Sequence, residues 1–245
     1  MKLITWNVNG ARAREAQILE LVAREAPDVL CLQEIKAAPE QLPESLTGLA
    51  GYGGIWHGQK GYSGVALLVK GEASVSFQHP AYDLESRAVS AVVSGIEVAS
   101  LYVPNGGKDY PAKIAFLTAL AGHAREAAAA GRPLVLLGDL NVAHTERDVH
   151  PKERKAVIGQ LPEERNLFSA LLAEGLVDVG RALDPDNDAL YTWWAPWRQM
   201  RERNIGWRLD YALASTDLAA KAKRCEVLKA FGTSDHAPVV VELEP

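Results

Sequence analysis

Apolar residues recur at helical spacing in three stretches of the chain, and each stretch is bounded by proline or glycine. The first predicted helix has an apolar face made of Ile18, Leu21, Val22 and Ala26. It ends before Pro27, because the residue preceding a proline avoids helical geometry. The second begins at Pro111 and ends at Gly131, and the third begins at Pro162 and ends at Gly175.

Short apolar runs between these helices predict strands. From residue 52 to residue 103, glycine-bearing turns separate the runs, which indicates a mostly antiparallel sheet. The predicted strands are Lys2–Trp6, Asp28–Gln33, Gly53–His57, Gly64–Lys70, Ser74–Gln78, Ala88–Ser94, Ile96–Val103, Pro133–Leu137, Arg208–Leu213 and Pro238–Leu243. Strands from end to end, with helices between groups of them, predict an α/β fold of two packed sheets covered by helices in one domain, residues 1–245.

Composition narrows the class of protein. The chain has 245 residues, of which 48% are apolar and 23% charged, as in soluble proteins with a packed core. It contains neither a lipid-spanning apolar run nor a secretory signal. Cys31 and Cys225 are far apart and are read as reduced thiols. We therefore expect a cytoplasmic monomer without a membrane partner. A net charge of −5 argues mildly against nucleic-acid binding over the whole surface, but not against local basic patches.

The segment Gly138–His144 places an acid and an amide directly after a buried strand. Asp139 and Asn141 flank Leu140, so they share one face if the backbone stays extended. Such a pair can hold a water molecule, a phosphate oxygen or a metal-bound hydroxide. The same residues also suit a turn or a helix cap, which would give them a structural and not a catalytic role.

Polar residues follow other apolar runs in the same way. They are Asn7, Glu34, Tyr102 with Asn105, Asp210, and Asp235 with His236. Each has an ordinary structural explanation by itself, but their recurrence favours one shared site. Carboxylates and amides are the hard oxygen ligands that Mg²⁺ or Mn²⁺ prefers, and no nucleophilic serine or cysteine lies in a recognisable turn. The inventory suits hydrolysis of a phosphoester by activated water.

Eight short segments together carry a family resemblance. They are Thr5–Gly10, Leu32–Lys36, Gly61–Val65, Leu101–Gly106, Gly138–His144, Tyr191–Trp194, Asn204–Tyr211 and Thr233–Pro238. In this order they resemble the exonuclease III family of apurinic/apyrimidinic endonucleases, within the endonuclease/exonuclease/phosphatase superfamily. The resemblance implies a DNase I-like, four-layered α/β sandwich of two packed mixed sheets flanked by helices, with the site at one edge of both sheets.

The resemblance also implies a metal-assisted reaction. Glu34 would be the principal ligand of Mg²⁺ (or Mn²⁺), with Asn7 close to it and Asp235 in the same acidic group. Asp139 would orient or deprotonate the attacking water, supported by Asn141. Which group is the true base, and whether one or two metals act, stays open.

Phosphate binding is implied for a second set of residues. His236 would contact the scissile phosphate and be held by Asp210, whose carboxylate sets the tautomer of the ring. Tyr102 and Asn105 would bind the phosphate as well.

Substrate choice is implied for an apolar pocket and a basic loop. Trp193, Trp207 and Leu209 would admit a sugar that lacks its base, although neighbouring tryptophans can equally be core residues. Cations along the DNA backbone would supply position and affinity. The expected contacts are Lys108, Arg198, Arg201, Arg203 and Arg208.

The resemblance implies a DNA repair nuclease that cuts 5′ to abasic sites in double-stranded DNA and trims blocked or ordinary 3′ ends. Asn9 stands where some relatives carry aspartate, which weakens a second metal site. Residues 145–161 lack an Asn-rich stretch that grips DNA in some relatives. The alternatives are a mainly 3′-5′ exonucleolytic enzyme, a phosphatase or sphingomyelinase-like enzyme on the same scaffold, and an inactive DNA-binding module. The last should have lost one of Glu34, Asp139, Asp210 or His236, and all are present.

Overall fold

Two six-stranded mixed sheets form the centre of this computed structural model, which describes residues 1–71 and 75–244. In chain order the strands are β1 (Lys2–Asn7), β2 (Val29–Gln33), β3 (Tyr52–Gln59), β4 (Tyr62–Lys70), β5 (Phe77–Gln78), β6 (Ala88–Val93), β7 (Ile96–Tyr102), β8 (Leu134–Asp139), β9 (Leu176–Asp178), β10 (Asp210–Ser215), β11 (Ala222–Val227) and β12 (Val239–Leu243). The first sheet has the order β11-β12-β1-β2-β4-β3 and the second the order β5-β6-β7-β8-β10-β9. The pairs β1–β2 and β7–β8 are parallel, and the other neighbours are antiparallel.

The helices are α1 (Glu15–Glu25), α2 (Glu44–Thr47), α3 (Tyr110–Ala129), α4 (Pro162–Ala173), α5 (Val179–Leu183) and α6 (Thr216–Ala219). Helices α1 and α2 cover the outer face of the first sheet, and α3 and α4 cover that of the second. The short helices α5 and α6 place Val179 and Leu218 against the layer between the sheets. The three helices predicted from the sequence are α1, α3 and α4. Asp109 begins α3 by accepting the backbone N–H of Ala112 at 2.9 Å, which satisfies one of the free donors of the first turn. No helix in the described ranges is long and apolar enough to cross a membrane.

The core is divided into three apolar layers, which makes four layers of secondary structure. Successive residues of a strand point into different layers: Leu3 lies between the sheets, whereas Ile4 faces α1. On β8, Leu137 lies between the sheets and Leu136 faces α3 and α4. Because both faces of the central strands are buried, their sequences read as continuous apolar runs. The expected sandwich of two mixed sheets flanked by helices is confirmed.

The strands that the sequence did not predict lie at the edges of the sheets. The strand β9 ends the second sheet and β11 ends the first. The strand β9 has only three residues, and β11 is mostly half-buried or exposed, so neither carries an apolar run that a sequence pattern could show. The predicted strand Ser74–Gln78 is reduced to Phe77–Gln78, and its first residue, Ser74, lies outside the described residues.

Gly138 allows β8 to run close to β7 just before the catalytic candidate Asp139. Its φ is +149°, and a Cβ atom there would lie 1.9 Å from the backbone oxygen of Leu101. That oxygen belongs to a neighbouring strand in register with Gly138, so the clash cannot be relieved by turning a side chain. The sequence therefore needs glycine at this position to keep the central strands paired.

We expect Gly138→Ala to lower the free energy of unfolding by about 3 kcal/mol, the upper range for overpacking a well-packed interior. Gly122→Ala is the matched control, because Gly122 lies within α3 and a Cβ atom there meets no atom within 4 Å. That control should stabilise the protein by about 1 kcal/mol through helix propensity. Urea unfolding measures both changes, and equal stabilities for the two variants would contradict the packing argument.

Candidate active site

Three neighbouring strands of the second sheet place a phenol and two carboxylates in one row. Tyr102 on β7 is in register with Asp139 on β8, and Asp139 is in register with Asp210 on β10. Side chains of register partners point to the same face of a sheet. The strand pairing therefore gathers these three residues at one end of the sheet.

The first sheet brings an amide and a further carboxylate to the same edge. Asn7 ends β1, and Glu34 directly follows the parallel strand β2. The amide Nδ2 of Asn7 donates to Oδ2 of Asp139 at 2.9 Å, so a hydrogen bond joins the two sheets at the site. Glu34 has a φ of +56°, which ends the strand, and its carboxylate lies 2.7 Å from Nζ of Lys36.

His236 enters from the loop before β12 and is held by Asp210. Its Nδ1 lies 2.8 Å from Oδ2 of Asp210, and its Nε2 lies 3.8 Å from Oδ2 of Asp139. Burial alone would lower the pKa of His236, but the carboxylates of Asp210 and Asp139 outweigh it and raise the pKa to about 10. The ring is therefore a cation at neutral pH, with Nε2 on the side of Asp139.

Asp139 is almost completely buried, and this changes its acidity. Burial is the largest influence and raises the pKa of Asp139 to about 7. The cationic ring of His236 opposes the rise, and the carboxylate of Asp210 adds to it. A carboxyl group that exchanges its proton near neutral pH suits general acid–base work.

Asn141 supports Asp139 by a different geometry from the one expected. The backbone does not stay extended, because Asn141 has a φ of +51°. Its backbone N–H donates to Oδ1 of Asp139 at 2.9 Å, and its amide donates to the carbonyl oxygen of Val103 at 2.9 Å. Asn141 thus orients the carboxylate and ties the end of β8 to the end of β7.

A cavity of about 360 Å³ opens at this edge. It is lined by ten of the residues expected from the sequence, namely Glu34, Tyr102, Asn105, Asp139, Asn141, Trp193, Trp207, Leu209, Asp235 and His236. Asn7 and Asp210 lie behind it, hydrogen-bonded to Asp139 and His236. Gly107, Ile158 and Gly159 complete the lining. Sequence reasoning missed Ile158 and Gly159, since residues 145–161 carry no periodic pattern.

One wall of the cavity is apolar. The rings of Trp193 and Trp207 meet edge to face, with their centroids 5.6 Å apart, and Leu209 is buried beside them. Gly159 has a φ of +90°, and a Cβ atom there would lie 3.0 Å from the ring of Trp207. The absence of a side chain at this position keeps space open in front of the ring.

A buried ion pair holds the loops around the cavity. Lys113 and Glu164 are both fully buried and pair with each other. Nζ of Lys113 donates to the carbonyl oxygen of Asn141 at 2.7 Å and to that of Asn105 at 3.3 Å. Glu164 accepts the backbone N–H of Gly159 at 2.8 Å. Three separate loops are thereby fixed by one pair that the sequence analysis did not identify.

A second cavity, of about 430 Å³, adjoins the first and contains Lys108. The two cavities share Tyr102 in their linings. Arg87 is buried there, with its guanidinium 4.8 Å from the ring centroid of Tyr102 and 2.9 Å from the hydroxyl of Tyr62. Tyr62 lies in the segment Gly61–Val65 that carries the family resemblance, but the sequence pattern assigns no role to it or to Arg87.

The basic loop is only partly available to a ligand. Arg198 and Arg203 are exposed and flank the loop, where Trp197 is 60% exposed. Arg201 instead donates to three backbone carbonyl oxygens between residues 229 and 234, at 2.7 to 2.8 Å. Arg201 therefore stabilises the neighbouring loop, contrary to the expectation that it contacts DNA.

Arg208 is also not a surface cation, and the expectation that it contacts DNA is wrong. Only 4% of the residue is exposed. Its Nε lies 2.8 Å from Asp148, and its Nη2 lies 2.6 Å from Asp178. Arg208 balances the negative charge of two buried carboxylates. It also fixes the loop 145–161 to the edge strand β9.

The carboxylate oxygens at the cavity suit a hard divalent cation. One oxygen of Asp139 lies within 4.8 Å of one oxygen of Asp210, and Glu34 lines the same space. The cationic ring of His236 lies beside them but has no electron pair to offer a metal ion. Oδ1 of Asp210 is buried without a hydrogen-bond partner among the described residues. Asp235 is less available as a metal ligand, because both of its carboxylate oxygens accept hydrogen bonds, one of them from Trp193 Nε1 at 3.0 Å.

Comparison with known proteins assigns the family. Residues 4–236 match the Endonuclease/Exonuclease/phosphatase family, and the chain belongs to it. It is 38% identical to the DNA repair nuclease APEX1 of Danio rerio, over 99% of this chain and 82% of that protein. It is 34% identical to an exodeoxyribonuclease of Bacillus subtilis (strain 168), over 98% of both. An AP endonuclease structure from Archaeoglobus fulgidus matches with a TM-score of 0.89 and 29% identity, over all of both chains. The resemblance inferred from the motifs is confirmed.

We expect Arg208→Met to lower the free energy of unfolding by about 3–5 kcal/mol, because it leaves two buried carboxylates without this cation. Arg203→Met is the matched control, since Arg203 is exposed, and its effect should stay within about 0.5 kcal/mol. Urea unfolding at neutral pH measures both variants. Similar small losses would mean that the ion pairs of Arg208 contribute nothing to stability.

Proposed function

We propose that this protein is a Mg²⁺-dependent DNA repair nuclease that hydrolyses the phosphodiester bond 5′ to an abasic site in double-stranded DNA. It also trims blocked or ordinary 3′ ends. The observation that supports this proposal is that candidate hydrolytic groups and an apolar wall share one cavity. Asp139 and His236 line this space together with Trp193 and Trp207. The names of the relatives, a DNA repair nuclease and an exodeoxyribonuclease, agree with DNA as the substrate.

Asp139 acts as the base for the attacking water. The hydrogen bonds from Asn7 and Asn141 hold its carboxylate in one orientation. Because its pKa lies near 7, a substantial fraction is deprotonated at neutral pH and ready to accept the proton. Glu34 and its neighbours would hold Mg²⁺, and the ion would supply positive charge to neutralise the phosphate.

His236 and Tyr102 donate hydrogen bonds to the phosphate oxygens. Asp210 holds the Nδ1 side of the imidazolium, which leaves the Nε2–H for the substrate. Burial and the nearby charge of Glu34 raise the pKa of Tyr102 far above its ordinary value, so its phenol remains a neutral donor. Both groups meet the charge that grows on the phosphate in the transition state.

Substrate choice follows from the apolar wall and the flanking cations. A deoxyribose without its base presents a small, weakly polar surface that fits beside Trp207 and Leu209. The exposed cations Arg198 and Arg203 on one loop and Lys108 near the second cavity provide contacts for the DNA backbone. A phosphatase for small soluble esters would not need cations on two separate segments, such as Arg198 and Arg203 on one and Lys108 on the other.

The decisive experiment uses a 5′-labelled duplex that carries one stable abasic analogue. The protein is incubated with it in Mg²⁺ and, separately, in EDTA. We expect one Mg²⁺-dependent cut immediately 5′ to the lesion. An intact duplex without the lesion and with blocked 3′ ends is the matched substrate control.

The other outcomes distinguish the alternatives. A ladder of 3′-shortened products without the cut at the lesion would identify a mainly exonucleolytic enzyme. No cleavage of DNA, together with hydrolysis of small phosphoesters, would identify a phosphatase on the same scaffold. Either result would overturn the abasic endonuclease assignment.

Asp139→Asn tests the role of the base. We expect turnover at the abasic site to fall by at least ~100-fold, as for loss of a general base, while DNA affinity changes little. Single-turnover kinetics and a DNA-binding titration separate the two quantities. The exposed Asp186→Asn controls for charge and preparation and should behave like the unchanged protein. Near-normal turnover in Asp139→Asn would exclude this residue as the base.

Trp207→Ala tests the apolar wall. We expect cleavage at abasic sites to fall more than 3′-exonuclease action on undamaged ends, because only the first reaction needs the sugar pocket. The ratio of the two rates on matched duplexes is the measurement. Equal losses in both reactions would mean that Trp207 is a core residue and not a pocket residue.

A further inference from the structure

Two histidines and an aspartate form a cluster at edge strands of the two sheets. His57 lies on β3, which ends the first sheet, and His79 directly follows β5, which ends the second. Asp83 lies on the loop between β5 and β6. None of the three lines the catalytic cavity or the cavity that contains Lys108.

The three side chains already have the spacing of a ligand set. One ligand atom from each residue lies within 4.8 Å of the other two. His57 Nε2 is 2.7 Å from Asp83 Oδ2, and the ring centroids of His57 and His79 are 4.2 Å apart. Small rotations of the side chains would bring all three donor atoms to the distance that tetrahedral coordination requires.

Asp83 is anchored in the way that metal-binding carboxylates are. Its Oδ1 accepts the backbone N–H of Arg87 at 2.7 Å and that of Ala88 at 2.8 Å. Its own N–H donates to the carbonyl oxygen of Pro80 at 2.8 Å. These bonds fix the carboxylate and direct Oδ2 at His57 Nε2. A bound metal ion would replace the proton that these two atoms share and would link them in its place.

We propose that His57, His79 and Asp83 bind a divalent transition-metal ion of the zinc class, with water in the remaining position. Two imidazole nitrogens and one carboxylate oxygen are ligands that Zn²⁺ accepts, whereas Mg²⁺ takes oxygen ligands. His79 is exposed and the other two are half-buried, so the ion can enter from solvent.

The bound ion would act as a cross-link between the two sheets. It would join the edge strand β3 to the segment 79–88, which leads to the buried Arg87 beside Tyr62 and Tyr102. The role is structural, because the three residues line neither the candidate catalytic cavity nor the cavity that contains Lys108.

The test measures metal binding and thermal unfolding on the protein without a histidine tag, after treatment with EDTA. Zn²⁺ is titrated by calorimetry in excess Mg²⁺, which occupies hard-ligand sites. We expect one equivalent to bind to the unchanged protein and to raise its melting temperature, since binding to the folded state stabilises it. With Co²⁺, the absorption spectrum should show tetrahedral coordination.

His79→Ala removes one ligand from an exposed position, so the variant should fold. We expect its affinity for Zn²⁺ to fall about 100-fold, the upper end of the loss seen for weaker perturbations of metal sites. His123→Ala is the matched control, because His123 also pairs with a carboxylate, Glu97, at 2.7 Å but belongs to no three-ligand cluster among the described residues. It should bind Zn²⁺ normally.

Two results would overturn the proposal. Zn²⁺ binding that is equal in the unchanged protein and in His79→Ala would place the ion elsewhere, with Asp139, Asp210 and His236 as the first candidates. No Zn²⁺ binding to the unchanged protein would mean that His57 and Asp83 form an ordinary hydrogen bond and that the ring of His79 only packs edge to face against His57.

Discussion

The hydrogen bond from Asn7 to Asp139 is the contact on which the candidate site depends, because it joins the two sheets where their strands end. The layer between the sheets is mostly apolar apart from the hydrogen-bonded Thr5, Gln33 and Ser100, so burying a carboxylate at its edge has a large desolvation cost. The structure offsets this cost with donors from both sides: Asn7 from the first sheet and Asn141 from the second. The same burial that desolvates the carboxylate of Asp139 raises its pKa into the range that is useful for a base.

Strand pairing positions some residues of the candidate site, and anchored loops position the others. Residues that would act on the bond, such as Tyr102, Asp139 and Asp210, sit in register on adjacent strands, where positions are fixed by the sheet. The loops that would meet the substrate cannot be positioned in this way. The buried pair of Lys113 and Glu164 takes that role by binding loop backbone from inside the protein. A buried ion pair is weak evidence for stability, but it specifies one arrangement of the loops.

Residues marked by a local pattern could be placed at the cavity from the sequence, whereas residues positioned by long-range electrostatics could not. Asp139 and Glu34 could be found because each follows an apolar run and belongs to a motif. Arg208 belongs to a motif as well, and its charge suggested a DNA contact. Its partners, Asp148 and Asp178, are 60 and 30 residues away, and the strand that carries Asp178 was not predicted. Without knowing which carboxylates fold against it, a buried arginine cannot be told from an exposed one.

The division between strands and loops also explains how one family can serve several substrates. One scaffold can carry different substrate sites, so fold alone does not choose the substrate. In this chain Trp207, Gly159 and the exposed cations Arg198 and Arg203 lie on loops, and under the proposed function they would make that choice. A substitution at any of these loop positions does not require a strand to move. Substrate preference can therefore change through loop sequence. The buried hydrogen bonds to Asp139 must be kept, because they offset the cost of desolvating its carboxylate.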